Sequence, residues 1–588
     1  MCRPRSCRPR LSPLSARAGS SGAFALWQTL ALTCLLAGGA GCGDDPEDLG
    51  ATGSYGASDG DSDDDPDTGD DAEEAVLVPA RGISIVEVEA NQGTRVALTD
   101  ADGEWVGPDA RNMKLVRDRD TLIRIHYVVD ENWRERPVVA RLTLDTGVGA
   151  PIVHEQTREV AGDSSRTGLE RAFYFGLTAA AGETMPGTTI QVELLEPSED
   201  AALETPPEPD RPRVVAPVDG PAWIGFESDA MQLKVLLVPI HYTGGGKDTV
   251  PELDEAHAKQ LVDALHERNP VQEVVYQIRG QIEYDKPLDN LGSLLPLMAA
   301  VKQADGADAN VYYHAFIDIG CPVVGCGAMG VAGIANLAGD SQAASLTRVG
   351  ASVWWRSPNT GTIAQTIGTF VHEVGHNQGL AHVACPGVQA AGPDPAYPYA
   401  DGKIGQWGFG IRSFTLHNPT SSHDYMSYCG NTWGSDWTYA KAYARIQTLT
   451  QWDLGDASEG AEPEPLLVGA LYPDGAEEWF VLPGEFELES LVPDEQLVFV
   501  RDGVRVEQPA TIVRLSDGAT RWVIGPMPAA TTLAELDHVE HRHAGAVRRV
   551  IPREAIVDVA EIRPRGVAGF DLVPGLGSGL GSGLVRGR

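Results

Sequence analysis

The chain has 588 residues, too many for one core; at roughly 100–200 residues per domain, the length points to three or four domains. Charged residues make up 22% and hydrophobic ones 42%, which sets most of the chain among globular proteins, apart from collagen-like or wholly disordered ones. The 45 Lys and Arg against 83 Asp and Glu leave a net charge of -38, which argues against nucleic acid as a partner because phosphate binding needs clustered cations.

Residues 1–41 carry five arginines and no acids, with a mostly apolar run from Phe24 to Leu36 and small residues up to Cys42. That is the layout of an export signal. It resembles a bacterial lipoprotein signal, which implies that Cys42 is lipidated and begins the mature chain. The run is too short to span a bilayer. The expectation is an exported cell-envelope lipoprotein, held at the outer membrane or cell surface through Cys42, with ordinary cleavage and free secretion as the alternative. Residues 42–80 follow as a disordered acidic tether: 43–80 hold 14 Asp and Glu and no Lys or Arg, so like charges repel and little can be buried. Asp61, Asp63, Asp65 and Asp67 invite a calcium loop, but Pro66 stands where an EF-hand requires Gly.

From 81 to 228 short alternating segments such as Leu122–Val129 and Val138–Leu144, with turn signals like Asp102-Gly103, predict a β-sandwich-like domain. A Pro-rich stretch, Thr205 to Pro221, marks its exit. The region 229–456 differs. Met231–Tyr242 reads as a buried strand, and Ala258, Leu261, Val262 and Leu265 fall on one face of a helix stopped at Asn269-Pro270. Leu294, Leu295, Met298 and Val301 suggest a second helix, and Val311–Ile319 and Ser352–Trp355 two more strands. Strands alternating with helices predict an α/β or α+β unit. Residues 457–588 return to strands. Leu497–Val500 and Val504–Val506 flank Asp502-Gly503, a hairpin signal, and a Gly/Ser-rich tail closes the chain. The expected architecture is multidomain: a central α+β domain flanked by mainly-β domains.

Within the central unit lies His372-Glu373-Val374-Gly375-His376-Asn377-Gln378-Gly379-Leu380-Ala381-His382. On a helix, residues four apart are about 40° apart around the axis, so His372 and His376 can grip one ion. Ile363, Ile367, Phe370, Val371 and Val374 cluster on the opposite face, giving one side for a core and one for a cleft. Gly379 can adopt a positive φ and end the helix, so that His382 returns to the same ion. Three neutral imidazoles leave a fourth zinc position open to water, the arrangement of catalytic sites. Glu373, next to a ligand, can reach that water. The expectation is one catalytic Zn2+ on His372, His376 and His382.

The motif H-E-x-x-H-x-x-G-x-x-H resembles that of the metzincin metallopeptidases, which it matches at every fixed position. The resemblance implies an α+β metzincin-like catalytic domain over 229–456 and zinc-dependent endopeptidase activity on protein or glycoprotein substrates, with Glu373 as general base. It also implies a methionine turn below the metal, for which Tyr425-Met426-Ser427-Tyr428 is the candidate, with Met426 as the floor. The Met-Ser-Tyr order looks like that of astacins and serralysins, which implies that Tyr428 lies near zinc and stabilises the reaction intermediate. A packed aromatic is the competing role for Tyr428.

Of eight cysteines, Cys2, Cys7 and Cys34 leave with the signal and Cys42 takes the lipid. Cys321, Cys326, Cys385 and Cys429 remain, enough for two disulfides in three possible pairings. Cys385 lies three residues past the third implied ligand and Cys429 three past the implied turn methionine, so Cys385–Cys429 would tie the two walls of the site together and leave Cys321 to Cys326. His538, His541 and His543, His423, and Trp354-Trp355 are weaker candidates for metal, substrate and cleft lining. Asp436 reads as the N-cap of a helix Trp437–Leu449. The rival function is a surface binding lipoprotein on an inactive scaffold of the same family.

Overall fold

The computed structural model describes residues 76–198, 213–320, 331–388, 392–454, 464–484, 494–562 and 565. The export signal, Cys42, nearly all of the tether, Cys321, Cys326 and the Gly/Ser tail lie outside these residues. Among the described residues no helix is long and apolar enough to cross a membrane.

The first domain is two β-sheets around one core. One sheet contains Leu77–Pro79, Thr189–Pro197, Arg136–Asp145 and Ile152–Val160 in that order; the other contains Arg95–Ala97, Ile83–Asn91, Thr121–Val129 and Phe173–Leu177. Alternation puts Val138, Ala140, Leu142 and Leu144 inward from one sheet to meet Ile83, Val88, Ile123 and Ile125 from the other.

A six-stranded sheet follows. Gln232–Tyr242 lies between Glu273–Ile278 and Val311–Ile317, all parallel, and Val349–Val353 continues the parallel set. The last strand, Gly333–Ala335, is antiparallel and forms the edge. Gln232–Tyr242 reads as one apolar run because both its faces are covered. Leu233, Val235 and Leu237 face helices Glu255–Arg268, Ala364–Asn377 and Asp436–Gln451. Leu236, Val238 and Ile240 face the opposite layer, which includes helix Leu294–Asp305.

That second layer is shared with the last domain. Leu466, Val468, Ala470, Phe480, Leu482 and Trp522 join Leu294, Leu295 and Met298 in one buried cluster. Their sequence neighbours Leu467, Leu471, Trp479, Val481 and Val523 face the other way, into a separate core closed by Leu497, Phe499 and Val539. The strand Glu464–Leu471 is therefore apolar at successive positions, one set for each core. The expected hairpin is present: Arg501 pairs with Val504 across Asp502 (φ 50) and Gly503 (φ 73), both left-handed as a two-residue turn of this kind requires.

One expectation is corrected. The helix Asp436–Gln451 is capped by Ser435, whose hydroxyl accepts from the Thr438 N–H at 3.1 Å, and Asp436 is its first residue. Ser435 wins the cap because buried Asp424 fixes it, bonding both its N–H and its hydroxyl.

Candidate metal centre and active site

The helix Ala364–Asn377 carries His372, Glu373 and His376, and buries Phe370, Val371 and Val374 on its core side. It ends at Gln378, and Gly379 follows at φ +80. The reversal lets Leu380 and His382 come back across the helix end. Its first product is a hydrogen bond: His376 Nδ1 donates to the Leu380 carbonyl at 2.7 Å. His372 Nδ1 likewise donates to the Tyr425 carbonyl at 2.8 Å. A carbonyl only accepts, so in both rings the proton is on Nδ1 and Nε2 is a bare lone pair.

The two lone pairs converge, and the His382 ring meets them. His376 Nε2 lies 3.0 Å from His372 Nε2 and 3.2 Å from His382 Nε2. The unprotonated nitrogens of His372 and His376 at that separation repel unless a cation lies between them. Nitrogens bound tetrahedrally to zinc at ~2.0–2.1 Å sit roughly 3.3 Å apart, so the three residues fit the ion. Among the described residues they are the only group of three or more His, Cys, Asp or Glu found close enough to hold a metal. Burial holds both rings neutral, as ligands must be: it pushes His372 down to about 4 and His376 well below its ordinary value.

Met426 is fully buried beneath the helix, and a Cβ on Gly375 would come within 2.5 Å of its Sδ. Gly375 thus leaves room for the methionine where it lies, a role the motif reading did not assign. Asp424 organises the turn, accepting from the Met426 N–H at 2.8 Å and the Thr438 hydroxyl at 2.6 Å. The Tyr428 ring stands 4.7 Å from the His382 ring and 5.6 Å from the His372 ring, and its hydroxyl reaches the Ser516 carbonyl at 3.4 Å. Cys385 and Cys429 are disulfide-bonded, joining the segment after His382 to the segment after Met426.

A cleft of about 580 Å³ opens beside the triad, lined by His372, Glu373, Tyr428, the edge-strand segment 331–333, and Ser516 and Asp517. Glu373 is 5% exposed, with its Oε2 lacking a hydrogen-bond partner, and burial pushes its carboxyl up to about 8. The Ser516 hydroxyl bonds this carboxylate and pulls the other way, while the charge of Asp517 adds to the rise. Gly333 permits the close approach of Glu373, whose Oε1 would meet a Cβ there at 2.6 Å.

Ser516 and Asp517 are the residues that sequence reading missed. The only local signal was Asp517-Gly518, an ordinary turn dipeptide in the last domain. The weaker candidates are placed elsewhere. Glu495 bonds His541 and His543 at 2.7 Å each. His423 contacts Lys403 and the Gly430 carbonyl, outside the cleft lining. Trp354 packs against Phe316 in the core.

Residues 280–383 match the family model for the reprolysin-like metallopeptidases of family M12B, and residues 358–431 match that for peptidase family M66. The two matches overlap on the histidine motif. No curated protein matches the chain. With the histidine triad, the two family matches support a zinc-dependent peptidase.

Proposed function

We propose that the chain is an exported, metzincin-type zinc endopeptidase that cleaves protein or glycoprotein substrates. The observation that carries this reading is the convergence of three imidazole Nε2 atoms beside a buried carboxylate in an open cleft. His372, His376 and His382 hold the ion. When bound, zinc supplies Lewis acidity and brings a water's pKa toward ~7. Glu373 accepts the attacking water's proton and passes it to the leaving amine. Its Oε2, free of protein partners, is the atom suited to that transfer. Tyr428 directs its hydroxyl to the developing oxyanion, and Met426 packs as the apolar floor. The resemblance at the N-terminus supports lipidation at Cys42 and placement at the outer membrane or cell surface. The second pairing, Cys321–Cys326, belongs to the same reading.

The test is Glu373→Ala beside wild type on a panel of protein and mucin-like substrates, with bound zinc measured in both. The variant is expected to keep one zinc per chain and lose at least 10³-fold in turnover, the scale of removing a positioned proton acceptor together with its charge. Loss of zinc in the variant would make Glu373 a ligand. A wild type that binds zinc yet cuts nothing would favour the inactive binding scaffold.

A further inference from the structure

The edge strand Gly333–Ala335 offers hydrogen-bonding groups on its outer side, and one of its positions is already taken. The Ala332 carbonyl accepts from the Val353 N–H, and Ile334 pairs with Ala351, so Ala332 and Ile334 point into the sheet. Strand alternation then turns the N–H and C=O of Gly333 and Ala335 outward. At Ala335 both outward groups are bonded to Ser516: the Ala335 N–H donates to the Ser516 hydroxyl at 2.9 Å, and the Ser516 N–H donates to the Ala335 carbonyl at 3.3 Å. The same serine bonds Glu373 and accepts from Tyr428.

This contact is a wall. Leu515, the preceding residue, is 2% exposed in the core shared by the two domains, and Leu515 and Thr520 close the turn with a backbone bond of 3.0 Å. The next residue, Asp517, lines the cleft, its carboxylate braced by the N–H groups of Ala519 (3.0 Å) and Thr520 (2.8 Å). Among the described residues, no Lys or Arg lines the cleft.

We propose that the Ser516 turn ends the substrate's path along the edge strand and that Asp517 selects a cation there. The inference rests on the peptidase reading above. An extended peptide adds to a free sheet edge through backbone bonds, and antiparallel addition is the more stable ladder. Gly333 lies against Glu373, so the bond that is cut falls opposite Gly333. Toward Ala335 an antiparallel substrate runs to its own amino end. Ser516 stands two strand positions along, roughly 7 Å away. The substrate therefore pairs with Gly333, leaves the edge at Ser516, and presents its second or third residue before the cut to Asp517. The cation is a Lys or Arg side chain or a free amino terminus.

The experiment has two readouts. A peptide library from digested protein, with amino termini free in one half and acetylated in the other, is treated with zinc-loaded wild type and Asp517→Asn, and cut sites are mapped by mass spectrometry. Separately, dye-labelled Ala-Gly heptapeptides carrying one Lys, Gln or Glu at each position are titrated into the chelated protein by fluorescence anisotropy. Wild type is expected to favour a cation over Glu about tenfold, in cutting at the second or third residue before the cut and in binding at one position of the heptapeptide. Positions further toward the amino end should be flat. Asn keeps the turn's acceptor oxygen, so Asp517→Asn should remain folded and lose the preference. Acetylation removes the preference if the amino terminus is the source and leaves it if the side chain is. Cutting without positional preference, or a preference unchanged in Asp517→Asn, overturns this inference and leaves the peptidase reading intact. Position-dependent binding without cutting supports the wall and overturns the peptidase.

Discussion

The first and last domains have the same architecture, two β-sheets on an apolar core, yet they meet the central domain in different ways. The first keeps its core largely to itself; among the described residues, Tyr439 is the one buried residue of the central domain in that cluster. Its other contacts are mixed: Leu122 packs with Phe409 and Ile411 of the central domain in a small apolar cluster, and polar bonds join the two elsewhere. Arg119, 1% exposed, donates to the carbonyls of Gln92, His266 and Val271, and Trp433 Nε1 donates to the Gly93 carbonyl at 2.7 Å. None of its described residues lines the cleft. The last domain instead turns one face of a sheet into the central core and sends a loop to Glu373. Like folds can thus serve as support or as part of a site, and the face that is buried decides which.

Three measurements would break or sharpen that contrast. Trp522→Ala opens a cavity in the shared core and is expected to cost about 3–5 kcal/mol. Melting should show the central and last domains losing stability together; a separate transition for the last domain would mean the core is not shared. Arg119→Met removes the buried donors and leaves the Val271 carbonyl without one, while the Gln92 carbonyl keeps the Tyr439 hydroxyl and the His266 carbonyl keeps the Asn269 N–H, for about 1–3 kcal/mol. Turnover of the folded protein should stay within about twofold of wild type, because nothing near Arg119 lines the cleft; a larger loss would make the first domain part of the site. The third measurement concerns pH in the metal-free protein. Glu373 has an ordinary value of 4.5 and is pushed up to about 8 in the fold. Between those values the unfolded chain has released a proton that the folded chain still holds, so stability falls as pH rises through the window. Glu373→Gln should remove a fall of a few kcal/mol between pH 5 and 8, read as melting temperature with a chelator present. A wild-type slope that persists in the variant would assign the titration to another group.

The histidine site was legible because its geometry is local. Four-residue spacing on a helix and a glycine reversal place three imidazoles without knowledge of anything distant, and the two-residue turn at Asp502-Gly503 was readable for the same reason. The helix Asp436–Gln451 was readable in its buried face, Tyr439, Ala442, Tyr443 and Ile446, but not in its cap, since Ser435 and Asp436 are both good caps and only buried Asp424 decides between them. Ser516 and Gly375 were not legible at all. Each owes its role to a residue far along the chain, Ser516 to Ala335 and Gly375 to Met426, and no periodicity encodes such a meeting.

The shared core also bears on the order of events at synthesis. The apolar side of Leu294–Asp305 is closed by Leu466, Leu482 and Trp522, which a chain made from its amino end supplies long after the helix itself. At roughly 5–20 residues per second, the interval from Met298 to Trp522 is tens of seconds. Until then the layer beneath the sheet is uncovered and Ala335 lacks Ser516. The architecture therefore acts as a timer, leaving the cleft unfinished until most of the chain has emerged.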